Sequence, residues 1–217
     1  MEITKVIDFV QKQLEGEKTG HDFYHGQRVA HLASQLYLQD NPDAHADSRM
    51  VAIIQTAGYL HDTIDEKICA DPEQVIEQIK HLLPQVGFSE LEVKDILFTI
   101  QHMSFSQNIE HHYQLPVSGE YVQDADRIES LGAMGIARAF TYGGAHGNVI
   151  YDPKIKPEKL VSHDQYREHT ETTINHFYEK LFQLEDLMNT DGGKKEAHKR
   201  TDFMRAFVQE FMDEWNV

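Results

Sequence analysis

An all-α fold is what this 217-residue chain predicts, on three observations. Apolar side chains recur at three- and four-residue spacing in one stretch after another. Capping residues and prolines stand between those stretches. No pair of alternating apolar and polar runs is joined by a hairpin turn.

Residues 2–15 form the first expected helix, with Ile3, Val6, Ile7, Val10 and Leu14 on one stripe. Gly20 and Asp22 break the chain, and Asp22 can cap the next helix. A helix over 24–38 then aligns His25, Val29, Leu32 and Leu36, so His25 lies in line with the core stripe. Asn41-Pro42 closes it. Residues 49–60 are almost wholly apolar, which makes that helix central. Residues 72–83 form another, with proline near the first turn and Pro84 after the end. Ser89-Glu90-Leu91-Glu92 is a capping-box pattern that opens a helix running to about His102.

Residues 104–121 read as irregular. The stretch 122–140 is rich in glycine and alanine and is expected as one continuous central helix, since small side chains let backbones approach. Residues 143–158 read as a long loop, of the kind that often covers a site. A long amphipathic helix over 159–188 is expected next. Asp191-Gly192-Gly193 should turn the chain before a last helix bearing Phe203, Ala206, Phe207, Phe211 and Trp215. That aromatic stripe is core or, in a homodimer, a contact between copies. Neither a repeat nor a clear domain boundary is visible.

The formal charge is −16. Acidic chains repel phosphate polymers, which argues against binding nucleic-acid polymers. A small phosphorylated ligand remains compatible, because a bound cation and local arginines reverse the sign within a cleft. No apolar run reaches the roughly 20 residues needed to span a bilayer. The acidic start is unlike a secretion signal. The single cysteine fits a reducing compartment, so a cytoplasmic protein with no membrane partner is expected.

Chemistry concentrates where the apolar run 51–60 ends in His61-Asp62. Adjacent residues on a regular helix point about 100° apart, so this pair can share one ion only where the helix ends or bends. His25 and an aspartate from Asp124-Ala125-Asp126-Arg127 would complete a set of two nitrogens and two oxygens. Such a set suits manganese, iron, nickel, cobalt or zinc better than calcium. Four protein ligands on a six-coordinate ion leave two positions for water or a substrate oxygen. Of the remaining histidines, His163, His169 and His176 show no ligand spacing.

Three longer segments carry a resemblance. They are His25-Gly-Gln-Arg28-Val29, Leu60-His61-Asp62-Thr-Ile-Asp65-Glu66-Lys67 and the stretch from Gln123 through Asp126 to Phe140. In this order they resemble the HD-domain metal-dependent phosphohydrolase superfamily. Within it they are similar to small bacterial single-domain members that look like nucleotide pyrophosphohydrolases. The resemblance covers about residues 20–185. It implies an HD-type helical bundle as one domain over 1–217, with C-terminal helices (159–217) packed on the motif core. It assigns His25, His61, Asp62 and Asp126 to one divalent metal. Manganese is the first expectation, with magnesium, nickel, cobalt, iron and zinc as the others. Asp126 is preferred to Asp124 because the family motif is alanine, then aspartate. Asp65, three residues after the ligand aspartate, would handle the proton, or Glu66 if the local turn differs.

Phosphate chemistry needs further cations. Arg28 lies one turn from His25 and Lys67 comes just after the acidic pair, so both are candidates for catalysis and substrate binding. Arg127 and His102 are further candidates to contact the substrate. His102 with His111 or His112 could bind a second metal, on a looser match. The expected reaction is hydrolysis of a small nucleotide, in which a triphosphate would yield a monophosphate and pyrophosphate. A phosphomonoesterase, a cyclic-nucleotide phosphodiesterase, a di-iron oxygenase and a non-catalytic nucleotide sensor remain as alternatives.

Overall fold

The computed structural model describes residues 2–16, 20–46, 48–65, 68–108, 113–158 and 172–216. Among these no strand occurs, and no helix is long and apolar enough to cross a membrane. The chain divides into two compact units, residues 1–126 and 127–217.

In the first unit, α1 (Thr4–Gln13) buries Val6 and Val10. Helix α2 (Phe23–Asp40) starts at Asp22, whose carboxylate accepts from the His25 amide at 2.8 Å. Helix α3 (Arg49–Leu60) is capped by Ser48 and buries most of its residues, including Ile54 and Leu60. Truncating either to alanine would cost about 2–5 kcal/mol. A 3-10 turn (His61–Ile64) continues directly from it.

Helix α4 (Pro72–Gln85) carries Pro84 in its last turn, where the expected boundary fell one residue earlier. Helix α5 (Glu90–His102) has both halves of the capping box. Its partner Glu92 also receives the Arg49 guanidinium from α3.

The irregular region expected over 104–121 is partly helical. A single-turn helix α6 (Phe105–Asn108) precedes α7, which already begins at Val117 (Val117–Glu129). Gly119 permits this early start, since a Cβ there would lie 2.5 Å from the Thr99 hydroxyl.

The continuous helix expected over 122–140 is in fact broken. In the second unit, α8 (Gly132–His146) comes after an extended Leu131, and Gly132 has φ +70. Only glycine adopts that conformation cheaply. A Cβ on Gly135 would sit 2.1 Å from the Ser130 carbonyl oxygen, so the small residues serve a tight bend. Central burial holds for Ala125 and Ile128, whereas Ala133 and Ala137 on α8 are exposed. Helix α8 also absorbs residues 143–146 of the expected loop.

The long helix expected over 159–188 is not present in its described part. Residues 159–171, with His163 and His169, lie outside the described residues. Helix α9 (Thr173–Glu179) ends at Lys180, whose φ of −135° leaves helical geometry, and a 3-10 stretch (Leu181–Leu187) comes next. Asp191-Gly192-Gly193 is the first turn of α10 (Asp191–Trp215), not a turn of its own, because Thr190 caps it by accepting from the Gly193 amide at 3.0 Å. The buried face of α10 is Ala197, Thr201, Met204 and Val208. The aromatic stripe expected as core or as a contact between copies is not the buried face: Phe203 and Trp215 are exposed, and Phe207 is half-buried against Phe140 and Phe177.

Candidate functional site

Helices α2 and α3 cross at glycine. A Cβ on Gly58 would lie 2.6 Å from the Ala30 Cα, and one on Gly26 would lie 3.3 Å from the Tyr59 carbonyl oxygen. This contact brings His25, beside Gly26, against His61, three residues after Gly58, with ring centroids 5.1 Å apart.

The change from α-helix to 3-10 turn at His61 resolves the problem of two adjacent ligands. His61 Nε2 and Asp62 Oδ1 come within 3.2 Å of each other. The His61 ring is held from its other side, where Nδ1 is 2.8 Å from the Gly58 carbonyl oxygen. A carbonyl only accepts, so Nδ1 carries the proton and Nε2 faces the cluster.

Asp126, on α7, completes the group. Its Oδ1 lies 3.3 Å from His25 Nε2 and 3.7 Å from His61 Nε2. Asp62 Oδ2 lies 3.5 Å from His25 Nε2. Asp124 is fully buried and belongs to neither group of three convergent ligand atoms.

These distances suit a shared cation. Ligand atoms bonded to one ion at about 2.1 Å stand roughly 3.0–3.5 Å apart. His61 Nε2 is buried, makes no hydrogen bond and faces two carboxylates. Electrostatics agree. Burial alone would lower the His61 pKa, yet Asp62 and Asp126 outweigh it and push it up to about 9. Burial would raise the Asp62 carboxyl, but His61 and His21 hold it well below the usual carboxylate range. Asp126 is lowered in the same way, by His25 and His61 against burial. The nest therefore favours positive charge.

Sequence reasoning missed His21. Its Nδ1 is 3.0 Å from Asp62 Oδ2, and it forms a convergent group with His25 and Asp62. The one signal was its position four residues before His25, obscured because it precedes the helix cap.

Asp65 is half-buried at the end of the 3-10 turn, its amide bonded to the Asp62 carbonyl at 3.1 Å. Arg28 is half-buried one turn after His25. Glu66, Lys67, His111 and His112 lie outside the described residues. His102 stacks on Tyr113 with centroids 4.3 Å apart, and burial lowers its pKa, which favours the neutral ring. It belongs to neither ligand group. Arg127 is buried and donates to the Leu187 carbonyl, the arrangement of a structural side chain.

No family model matches the chain. It is 32% identical over 207 residues to the uncharacterised protein YpgQ of Bacillus subtilis, covering 95% of this chain and 90% of that one. A Bacillus thuringiensis structure described as an HD-superfamily hydrolase is 38% identical, with a TM-score of 0.74, and covers 100% of this chain and 97% of its own. The chain belongs to the HD-domain phosphohydrolase superfamily. A Lactobacillus plantarum structure matches with a TM-score of 0.82 at 38% identity, covering 99% of this chain and 96% of its own. YpgQ has itself been crystallised in complex with ADP; that structure has a TM-score of 0.72 at 28% identity and covers 98% and 97%. HD-superfamily hydrolases are metal-dependent, and among the described residues His21, His25 and Asp62, and His25, His61 and Asp126, form two groups that could hold a metal ion.

Proposed function

We propose that this chain hydrolyses a small nucleotide, cleaving a nucleoside triphosphate to a monophosphate and pyrophosphate. The observation that carries the reading is the convergence of His25, His61, Asp62 and Asp126 in a nest that favours positive charge. The ADP found on YpgQ supports a nucleotide as the substrate class.

His25, His61, Asp62 and Asp126 would hold a divalent ion, manganese first. When bound, such an ion lowers the pKa of a coordinated water and polarises a phosphoryl oxygen. The remaining work falls to side chains. His61 keeps its Nε2 toward the cluster through the bond from Nδ1 to Gly58. Asp65 lies three residues from Asp62, where its carboxylate would accept the proton of the attacking water. Arg28, a turn from His25, offsets phosphate charge. Lys67 and Glu66 are second candidates for those two roles. His102, with its stack on Tyr113, offers an aromatic surface rather than a charge.

The test is a screen of purified protein with manganese against nucleoside triphosphates, with the released species identified. Pyrophosphate and a monophosphate are expected. Orthophosphate from monoesters, or opening of a cyclic nucleotide, would replace this reading with a different phosphohydrolase. Oxygen uptake on an iron-loaded sample without phosphate release would replace the reaction class.

A further inference from the structure

We propose that His21 is a positioning residue of the candidate centre, holding one oxygen of Asp62 so that the other is turned toward His61 and the ion. The inference rests on the proposed metal site and extends it to a residue outside the expected ligand set.

The geometry divides the two Asp62 oxygens. Oδ2 lies 3.0 Å from His21 Nδ1, and Oδ1 lies 3.2 Å from His61 Nε2. An aspartate carboxylate offers only acceptor oxygens, so in this 3.0 Å contact His21 Nδ1 donates. An Asp carboxyl rotates easily about its last bond, since the two-fold torsion there is broad. The other nitrogen facing Oδ2 is His25 Nε2, farther off at 3.5 Å.

The local chain is built for this contact. Gly20 has φ +100, a conformation that glycine adopts readily, and it turns the backbone just before His21. Asp22 then starts α2 and fastens the His25 amide at 2.8 Å. His21 is thereby left outside the first helical turn, edge-on to the His25 ring with centroids 5.9 Å apart. Its side chain is 26% exposed, whereas that of His25 is fully buried, so the two differ in role as well as in place.

The decisive experiment measures manganese affinity and the visible spectrum of the cobalt-loaded protein for wild type, His21→Ala, His21→Asn and His25→Ala. Melting of each metal-free protein is recorded beside them. An asparagine amide stands where the imidazole Nδ1–H donates, so it can restore the contact to Oδ2. His21→Ala should weaken manganese binding about 10–100-fold, as loss of a group that orients a ligand does. It should keep the wild-type cobalt band positions and metal-free melting. His21→Asn should return affinity to within a few-fold of wild type. Unchanged affinity in His21→Ala would overturn the proposal. So would a cobalt spectrum altered as in His25→Ala, which would make His21 a ligand, or a failure of His21→Asn to restore affinity in a normally folded protein. Absence of binding in the wild type itself would overturn the metal reading first, and that arm is read separately.

Discussion

Two histidine–carboxylate clusters in this molecule contain the same chemical groups and differ in what surrounds them. On α10, His198 lies against Glu185 and Asp202, and Arg205 joins the same carboxylates. The hydrogen bond that His198 donates to Glu185 raises the His198 pKa, but its side chain is 64% exposed. Water screens such pairs, and they contribute little. At the α2–α3 crossing His25, His61 and Asp62 are buried, and His61 rises to about 9 although burial opposes it. Residue type alone does not make a candidate metal site. Convergence on one point and exclusion of water do, because unpaired charges there have no solvent to relax into.

The strongest way to break this contrast is to remove one member from each cluster. Asp62→Ala should abolish stoichiometric manganese binding and reduce hydrolysis by on the order of a thousandfold or more, since both the ion and its field are lost. His198→Ala should leave both unchanged. Metal content by mass spectrometry and phosphate release measured on the same samples decide it. Equal losses in the two variants would erase the distinction.

Two helix glycines offer a second contrast. Gly58→Ala forces a methyl group onto the Ala30 backbone and should destabilise the protein by about 1–3 kcal/mol, by urea titration. Gly144→Ala on α8 meets nothing within 4 Å. It should stabilise by about 0.4–1 kcal/mol, because the unfolded chain loses freedom at no packing cost.

The smallest effect concerns Glu92, partnered by Arg49 and the Ser89 cap. Arg49 and Ser89 lower its carboxyl from the ordinary 4.5 to about 2. A depressed folded value means stabilisation that is complete above 4.5 and fades as pH falls toward 2. The urea midpoints of wild type and Glu92→Gln should therefore converge over that interval and stay apart above it. A gap that is constant with pH would remove the ionic contribution.

Much of the first unit is legible in the linear chain. Asp22 and Ser89 announce two helix starts, and each side chain accepts from the third amide after it. Caps are local, so their signal survives in the sequence. The end of the apolar run at Leu60 marks the bend that lets His61 and Asp62 face one point. The second unit is less legible. A run of small residues looks like a central helix and is a bend, because nothing in Gly132 or Gly135 states the sign of φ or the nearness of Ser130. The aromatic stripe of α10 looks like core, but several α10 faces carry apolar groups and only packing selects one.

His21 marks the same boundary. Spacing and composition along the chain were enough for the helices up to His102, the acidic balance and the segments that bear the ligand types. The resemblance preferred Asp126 to Asp124, but the approach of Asp126 to the histidines, and that of His21 to Asp62 from outside the helix, were decided by the fold alone. Those contacts join residues 41 and more positions apart. Local chemistry writes itself into neighbouring residues, whereas a convergence of distant side chains exists only once backbones have packed.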